Sequence, residues 1–204
     1  MKNVNRFRDF IQRFTTLVAA SEGDERRIFE EGTALLAELV SHDDWLPEAY
    51  AGPDATYYQQ YLLHCDPLER FSVLALVWNP GQAPTPVHDH TVWGMVGMMR
   101  GAETNRFYTV AEDGKSLVPG ELRTLEPGEV VRVSPRIGDI HEVANALADA
   151  VSISIHVYGA NIGGIERHVF DATTGQQKAF VSGYSNASVP NLWDRSAEVR
   201  ALIQ

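Results

Sequence analysis

The chain has 204 residues, 44% of them hydrophobic, and 27 acidic against 17 basic residues give a formal net charge of −10. That length can bury a full core, and the acidic balance, without a basic run or basic amphipathic helix, argues against nucleic acid or a membrane surface as partner. No stretch approaches the roughly 18 apolar residues of a spanning helix, the N-terminus has no apolar leader region, and Cys65 is the only cysteine, so the expected compartment is a reducing cytoplasm.

In chain order, Phe7, Phe10, Ile11, Phe14, Leu17 and Val18 recur at helical spacing, and Ile28, Leu35, Leu36 and Leu39 do so again after the polar break Ser21-Glu22-Gly23-Asp24. This predicts two amphipathic helices packed on the rest of the molecule. From about Tyr57 the pattern becomes short β runs punctuated by glycine and proline, at 57–64, 71–78, 92–100, 105–110, 130–133, 142–145 and 151–158, the pattern of a sandwich or barrel. One domain is expected, with a helical part over 1–45, a β-barrel over 55–182 and a C-terminal extension over 183–204; from Tyr184 that extension should be coil and a short helix on the surface. There is no internal repeat or low-complexity segment. Glu25-Arg26-Arg27 and Asp43-Asp44 read as solvated or helix-end charges.

His88 and His90 stand one residue apart, so on a strand both rings point the same way and Asp89 points oppositely. With His141 they make a three-histidine set suited to Fe, Zn, Cu or Ni, with positions left for other ligands. The run Gly81-x6-His88-x-His90-x3-Gly94-x6-Gly101 nearly reproduces the first cupin motif, and Gly128-x6-Pro135-x2-Gly138-x2-His141-x3-Asn145 approximates the second. The fold expected is therefore mainly β, a jelly-roll double-stranded β-helix with N-terminal helices. Gly94 stands where the first motif carries Glu, so the set is neutral and leaves more positive charge on a divalent ion, which favours an anionic ligand such as a thiolate.

Residues 151–158 alternate: Val151, Ile153, Ile155 and Val157 lie on one face and Ser154, His156 and Tyr158 on the other. Either the polar triplet faces solvent, or it lines the barrel as a buried network beside the metal site. Trp45, Trp78, Trp93 and Trp193 read as packing anchors, with Trp93 near enough to His90 to wall a pocket. Met95, Met98 and Met99 read as barrel filling, Cys65 as a small half-buried packing residue, and His42, His64 and His168 lack ligand spacing. In an extended segment Glu166 and His168 point away from Arg167. Neighbours on a strand, His64 and Cys65 face oppositely and do not form a hydrolase pair.

The segments HDHTVWGMVGMMRGAE at 88–103, SPRIGDIHEVANA at 134–146, SISIHVYGANIGG at 152–164 and SGYSN at 182–186 resemble the cysteine dioxygenase family of thiol dioxygenases, over about 43–193. The resemblance implies ferrous iron on His88, His90 and His141, a relay of Ser154, His156 and Tyr158, and conversion of a small-molecule thiol and O2 to a sulfinate. Two departures from the animal enzymes stand out. Gly94 replaces the cysteine that crosslinks to the relay tyrosine, and Gln60 replaces the arginine that holds the substrate carboxylate. Both features resemble the glutamine-type branch, the 3-mercaptopropionate dioxygenases, in which an arginine at the position of Arg167 takes the carboxylate. The resemblance favours 3-mercaptopropionate, with L-cysteine second. The other classes compatible with the fold are a cupin isomerase or hydrolase using another divalent metal, and a nonenzymatic small-molecule-binding cupin. No surface pattern assigns an oligomeric state.

Overall fold

A computed structural model describes residues 3–186 and 196–203. Helices α1 (Val4–Ser21) and α2 (Glu25–Val40) pack together. The break between them has a chemical cause: Glu22 and Gly23 take positive φ of 50° and 85°, and the Asp24 side chain accepts from the amides of Arg26 and Arg27 to cap α2. Glu25 is not a free surface charge, because its carboxylate accepts a 2.6 Å bond from the Ser134 hydroxyl. Asp43 likewise pairs with Arg100 at 2.6 Å and Asp44 with Arg6 at 2.8 Å.

Among the described residues eleven strands follow: β1 (Gln59–Cys65), β2 (Ser72–Trp78), β3 (Val87–His88), β4 (Gly94–Arg100), β5 (Glu103–Val110), β6 (Leu117–Leu125), β7 (Val130–Val133), β8 (His141–Asn145), β9 (Ser152–Tyr158), β10 (Arg167–Phe170) and β11 (Gln177–Phe180). They form two antiparallel sheets, β1-β2-β9-β4-β7 and β11-β10-β3-β8-β5-β6, the expected jelly-roll arrangement. Four of the strands, β3, β6, β10 and β11, were not legible as β runs. β6 is an edge strand exposed over most of its length and carries Pro119, so it lacks the alternation that marks a half-buried strand. β3 has only two residues.

The outer face of the five-stranded sheet meets the helices. Val73, Ala75 and Val77 of β2, Met95 and Met99 of β4, and Ile153, Ile155 and Val157 of β9 share one core with Phe10, Phe14, Ile28 and Leu36. Each large apolar side chain so buried contributes roughly 1.5–3 kcal/mol. The close approach requires glycine: a Cβ at Gly97 would fall 2.9 Å from Leu36 Cγ, and one at Gly32 would fall 2.9 Å from the Phe14 ring. Of the three methionines, Met95 and Met99 therefore pack under the helices rather than in the barrel. The inner face holds Leu62, Leu74, Leu76, Val133 and Ile162 with the polar residues of β9. Both faces of β9 are buried, so the polar triplet lines the barrel.

Trp45 and Trp78 are fully buried, and Trp45 stacks on Phe7 at 5.1 Å. Trp93 does not wall the pocket: its ring packs against Phe14 and Phe29, on the helix side of the sheet. Trp193 lies outside the described residues. The chain from Tyr184 is not a surface appendage at its start. Tyr184 packs against the inner cluster, donates to Asn161 and accepts from the Gly163 amide, while Ser185 and Asn186 bond the backbone of β1 at Gln60 and Leu62. Helix α3 (Ser196–Leu202) follows, and Arg200 donates to the Val181 carbonyl. Among the described residues no helix is long and apolar enough to cross a membrane.

Candidate metal centre, relay and cavity

His88 and His90 do not share one strand. β3 ends at His88, and His90 lies beyond it, just before Thr91 at φ 60°. His88 instead faces His141 directly across the β3–β8 ladder, and the short turn brings His90 onto the same pair. The ring centroids are 4.8–4.9 Å apart, and one ligand atom from each histidine lies within 4.8 Å of the others. The set converges as expected, but through ladder register and a turn rather than strand alternation.

Each ring is oriented from its far side. Nδ1 of His88 donates to the Pro86 carbonyl at 2.9 Å, Nδ1 of His90 to the Asp139 carboxylate at 3.0 Å, and Nδ1 of His141 to the Asn105 side-chain oxygen at 3.1 Å. This tautomer leaves three Nε2 lone pairs for one ion. Burial, reinforced by Arg167, pushes His88 down to about 4, and burial, reinforced by the neighbouring histidines and Arg167, holds His90 and His141 well below the usual imidazole range. Three neutral, pre-oriented imidazoles fit a divalent first-row metal. Asp139 and Asn105 escaped the sequence analysis. Asp139 sits within the second motif, and Asn105 shares the inward face of β5 with Glu103 and Phe107, a polar alternation that signals a lined interior. On the opposite side Asp89 accepts from His168 Nδ1 at 2.8 Å and from its amide at 2.7 Å, so neither joins the set.

The β9 triplet forms a continuous chain. Ser154 Oγ lies 2.8 Å from His156 Nε2, and His156 Nδ1 lies 2.8 Å from the Tyr158 hydroxyl, which reaches to 3.2 Å from His90 Nε2. Burial pushes His156 down to about 3 and raises Tyr158 well above an ordinary phenol, so both are neutral. Gly94 faces Tyr158 in the β4–β9 ladder, and a Cβ at that position would fall 2.6 Å from the tyrosine ring. The ring occupies the space that the motif glutamate would need.

A cavity of about 310 Å³ opens onto this centre and includes Tyr58, Gln60, His88, His141, Tyr158 and Arg167 in its wall. Arg167 is 4% exposed, donates to Ser182 Oγ at 2.8 Å and lies 4.7 Å over the Phe180 ring, while its Nε–H has no partner. Among the described residues it forms no ion pair. Gln60 shares Ser182 with it through a 3.1 Å bond. The larger groove of about 730 Å³ along α1 and α2 lies away from these groups.

A family model described as cysteine dioxygenase type I matches residues 11–171. Among solved structures, a double-stranded β-helix protein from Klebsiella pneumoniae is 16% identical, with 60% of this chain and 90% of that chain covered and a TM-score of 0.46. An RmlC-like cupin-family protein from Methanocaldococcus jannaschii is also 16% identical, with 53% and 85% covered and a TM-score of 0.39.

Proposed function

The chain belongs to the cysteine dioxygenase type I family, and from that premise we propose that it is an Fe(II)-dependent dioxygenase of small carboxylate-bearing thiols, with 3-mercaptopropionate preferred to L-cysteine. The observation that carries the substrate is Arg167, a buried guanidinium in the cavity wall that has, among the described residues, an unpartnered Nε–H and no carboxylate of its own. A buried cation without a counter-ion is costly, and a substrate carboxylate gripped by two parallel N–H bonds removes that cost. The cavity wall carries no Asp or Glu to receive the ammonium of cysteine. A thiol acid lacking the amine leaves no buried charge unpaired, which is the reason for placing 3-mercaptopropionate first.

His88, His90 and His141 would hold the iron, which supplies the open positions and redox chemistry for adding both atoms of O2 to sulfur, giving a sulfinate without an external reductant. Arg167 fixes the carboxylate end of the substrate and so directs its sulfur toward the histidines. Gln60 donates to Ser182 and the Gly183 carbonyl, which keeps the Ser182 hydroxyl beside the guanidinium. Tyr158 presents a neutral hydroxyl to the reacting atoms, and His156 and Ser154 orient it. Leu76, Val143, Val169 and Phe180 supply the apolar part of the wall and restrict water. A single cysteine fits a reducing cytoplasm, and the family match supports a place in sulfur compound breakdown.

The test is oxygen uptake by the Fe(II)-reconstituted protein with 3-mercaptopropionate, L-cysteine and cysteamine in parallel, with products identified by mass. A higher kcat/KM for 3-mercaptopropionate, with sulfinate as product, supports the reading. Preference for cysteine overturns the substrate assignment, and absence of thiol-dependent uptake at full iron occupancy overturns the activity.

A further inference from the structure

The β9 chain continues one step beyond the residues used above. Ser154 Oγ lies 2.8 Å from Oε1 of Glu103, a carboxyl at the start of β5 that is 1% exposed and whose Oε2 has no partner. Four buried groups are thus linked in a row, Glu103, Ser154, His156 and Tyr158. We propose that Glu103 is a positioning residue that sets the direction of this row: with its proton on, the Tyr158 hydroxyl hydrogen is aimed at the metal centre, and with the proton off the row reverses and turns that hydrogen away.

The direction follows from counting hydrogens. A serine or tyrosine hydroxyl has one to give, a neutral imidazole has one N–H, and a carboxylate has none. The Asp139 carboxylate accepts from the amides of His90 and Thr91 and from His90 Nδ1, so His90 Nε2 carries a lone pair. In the metal-free protein Tyr158 then donates toward His90 Nε2 and accepts from His156 Nδ1–H; with Nε2 on a metal the same hydrogen would point into the site. His156 Nε2 in turn accepts from the Ser154 hydroxyl, which leaves Ser154 Oγ only lone pairs to offer Glu103. A 2.8 Å contact of lone pairs with a carboxylate would be repulsive, so Glu103 carries the proton.

The surroundings agree. The titratable groups on its side are His156 and Tyr158 of β9, both neutral. Trp78 of β2, Met98 of β4, Leu125 of β6 and Asn145 of β8 stand on the other approaches, and none is charged. Burial pushes Glu103 up to about 8, against the Ser154 hydroxyl and, more weakly, the Trp78 indole N–H, both of which favour the ionised carboxyl. Ionisation therefore falls in the range where an enzyme works. An ionised Glu103 accepts from Ser154, Ser154 from His156 Nε2–H, and His156 Nδ1 from Tyr158, so these three links reverse and the Tyr158–His90 bond is lost.

The use assigned to the Tyr158 hydrogen rests on the dioxygenase reading, but the row can be read in metal-free protein. There the test is ¹⁵N NMR of histidine-labelled protein, with His156 assigned by its loss in His156→Gln. The expected result is the Nδ1–H tautomer at neutral pH, passing to Nε2–H as pH rises through about 8. Glu103→Gln, which cannot ionise and whose NH2 can donate to Ser154, should hold Nδ1–H throughout. An Nε2–H tautomer at neutral pH, or a wild-type tautomer that ignores this pH range, overturns the proposal and needs no variant. With iron bound, the kcat of Glu103→Gln relative to wild type should rise about tenfold per pH unit above the step; parallel profiles overturn the proposal. Absence of thiol turnover would sink the proposed function and leave the tautomer result standing.

Discussion

Gly94 and Tyr158 face each other on β4 and β9, so closely that a Cβ at 94 would lie 2.6 Å from Cδ1 of the ring. The absence of a side chain at 94 thus fixes where the tyrosine stands and keeps its hydroxyl 2.8 Å from His156 and 3.2 Å from His90. Gly94→Val should push the ring off this position, cost about 1–3 kcal/mol of stability by overpacking and lower kcat with iron content nearly unchanged. Urea denaturation, iron analysis and oxygen uptake on one preparation check this; unchanged kcat would mean the ring's position is not important.

Tyr158→Phe removes the hydroxyl and keeps the ring that fills the space beside Gly94. We expect kcat to fall by about 10²-fold or more with iron still bound. An iron-free variant would show that the hydroxyl serves the metal site rather than the reaction.

Arg167→Ala should raise KM for 3-mercaptopropionate by roughly 10- to 100-fold, the usual loss for charge-assisted hydrogen bonds, with iron content maintained. Cysteamine, which has no carboxylate, provides the control because its KM should change little. An equal rise for both thiols would remove the guanidinium from the carboxylate site.

In Asp139→Asn the amides of His90 and Thr91 should keep the one remaining oxygen, so an NH2 faces His90 Nδ1 and no longer accepts its proton. Metal affinity is expected to fall about 10- to 100-fold, as found when the partner of a ligating histidine is lost. Competition against a chelator measures it, and unchanged affinity would show that the turn around His90 orients the ring unaided.

The stability of the metal-free protein should peak near the ordinary histidine pKa. Burial depresses His88 to about 4 and His156 to about 3, so the unfolded chain takes up protons first, and stability is lost as pH falls below 6.5 toward those values. Glu103 has the opposite sign: its folded value of about 8 exceeds the unfolded value of 4.5, so its contribution is lost as pH rises to 8. These two histidines, with His90 and His141 lowered in the same direction, outweigh one raised carboxyl below 6.5, and between 6.5 and about 8 the carboxyl sets the slope. Urea midpoints across pH check the maximum, and Glu103→Gln should flatten its alkaline side.

Local pattern made the histidines, the two amphipathic helices and the alternation of β9 legible, because helical and strand periodicities depend only on near neighbours. Periodicity could equally well have put Ser154, His156 and Tyr158 in solvent. The helices decide the matter by covering Ile153, Ile155 and Val157, which turns the other face into the barrel. Short or exposed strands such as β3 and β6 carry no such pattern and are held by their neighbours in the ladder. The groups that tune the site also had to wait for tertiary structure. Asn105, Asp139 and Glu103 meet their partners across 36, 49 and 51 residues, and only the register and closure of two sheets bring such distant positions together. Sequence alone determined which atoms can bind a metal and which can pass a hydrogen bond. The fold decided that Arg167 is buried without a counter-ion and that Glu103 ends the relay, because burial and hydrogen-bond direction are properties of the surroundings rather than of the residue.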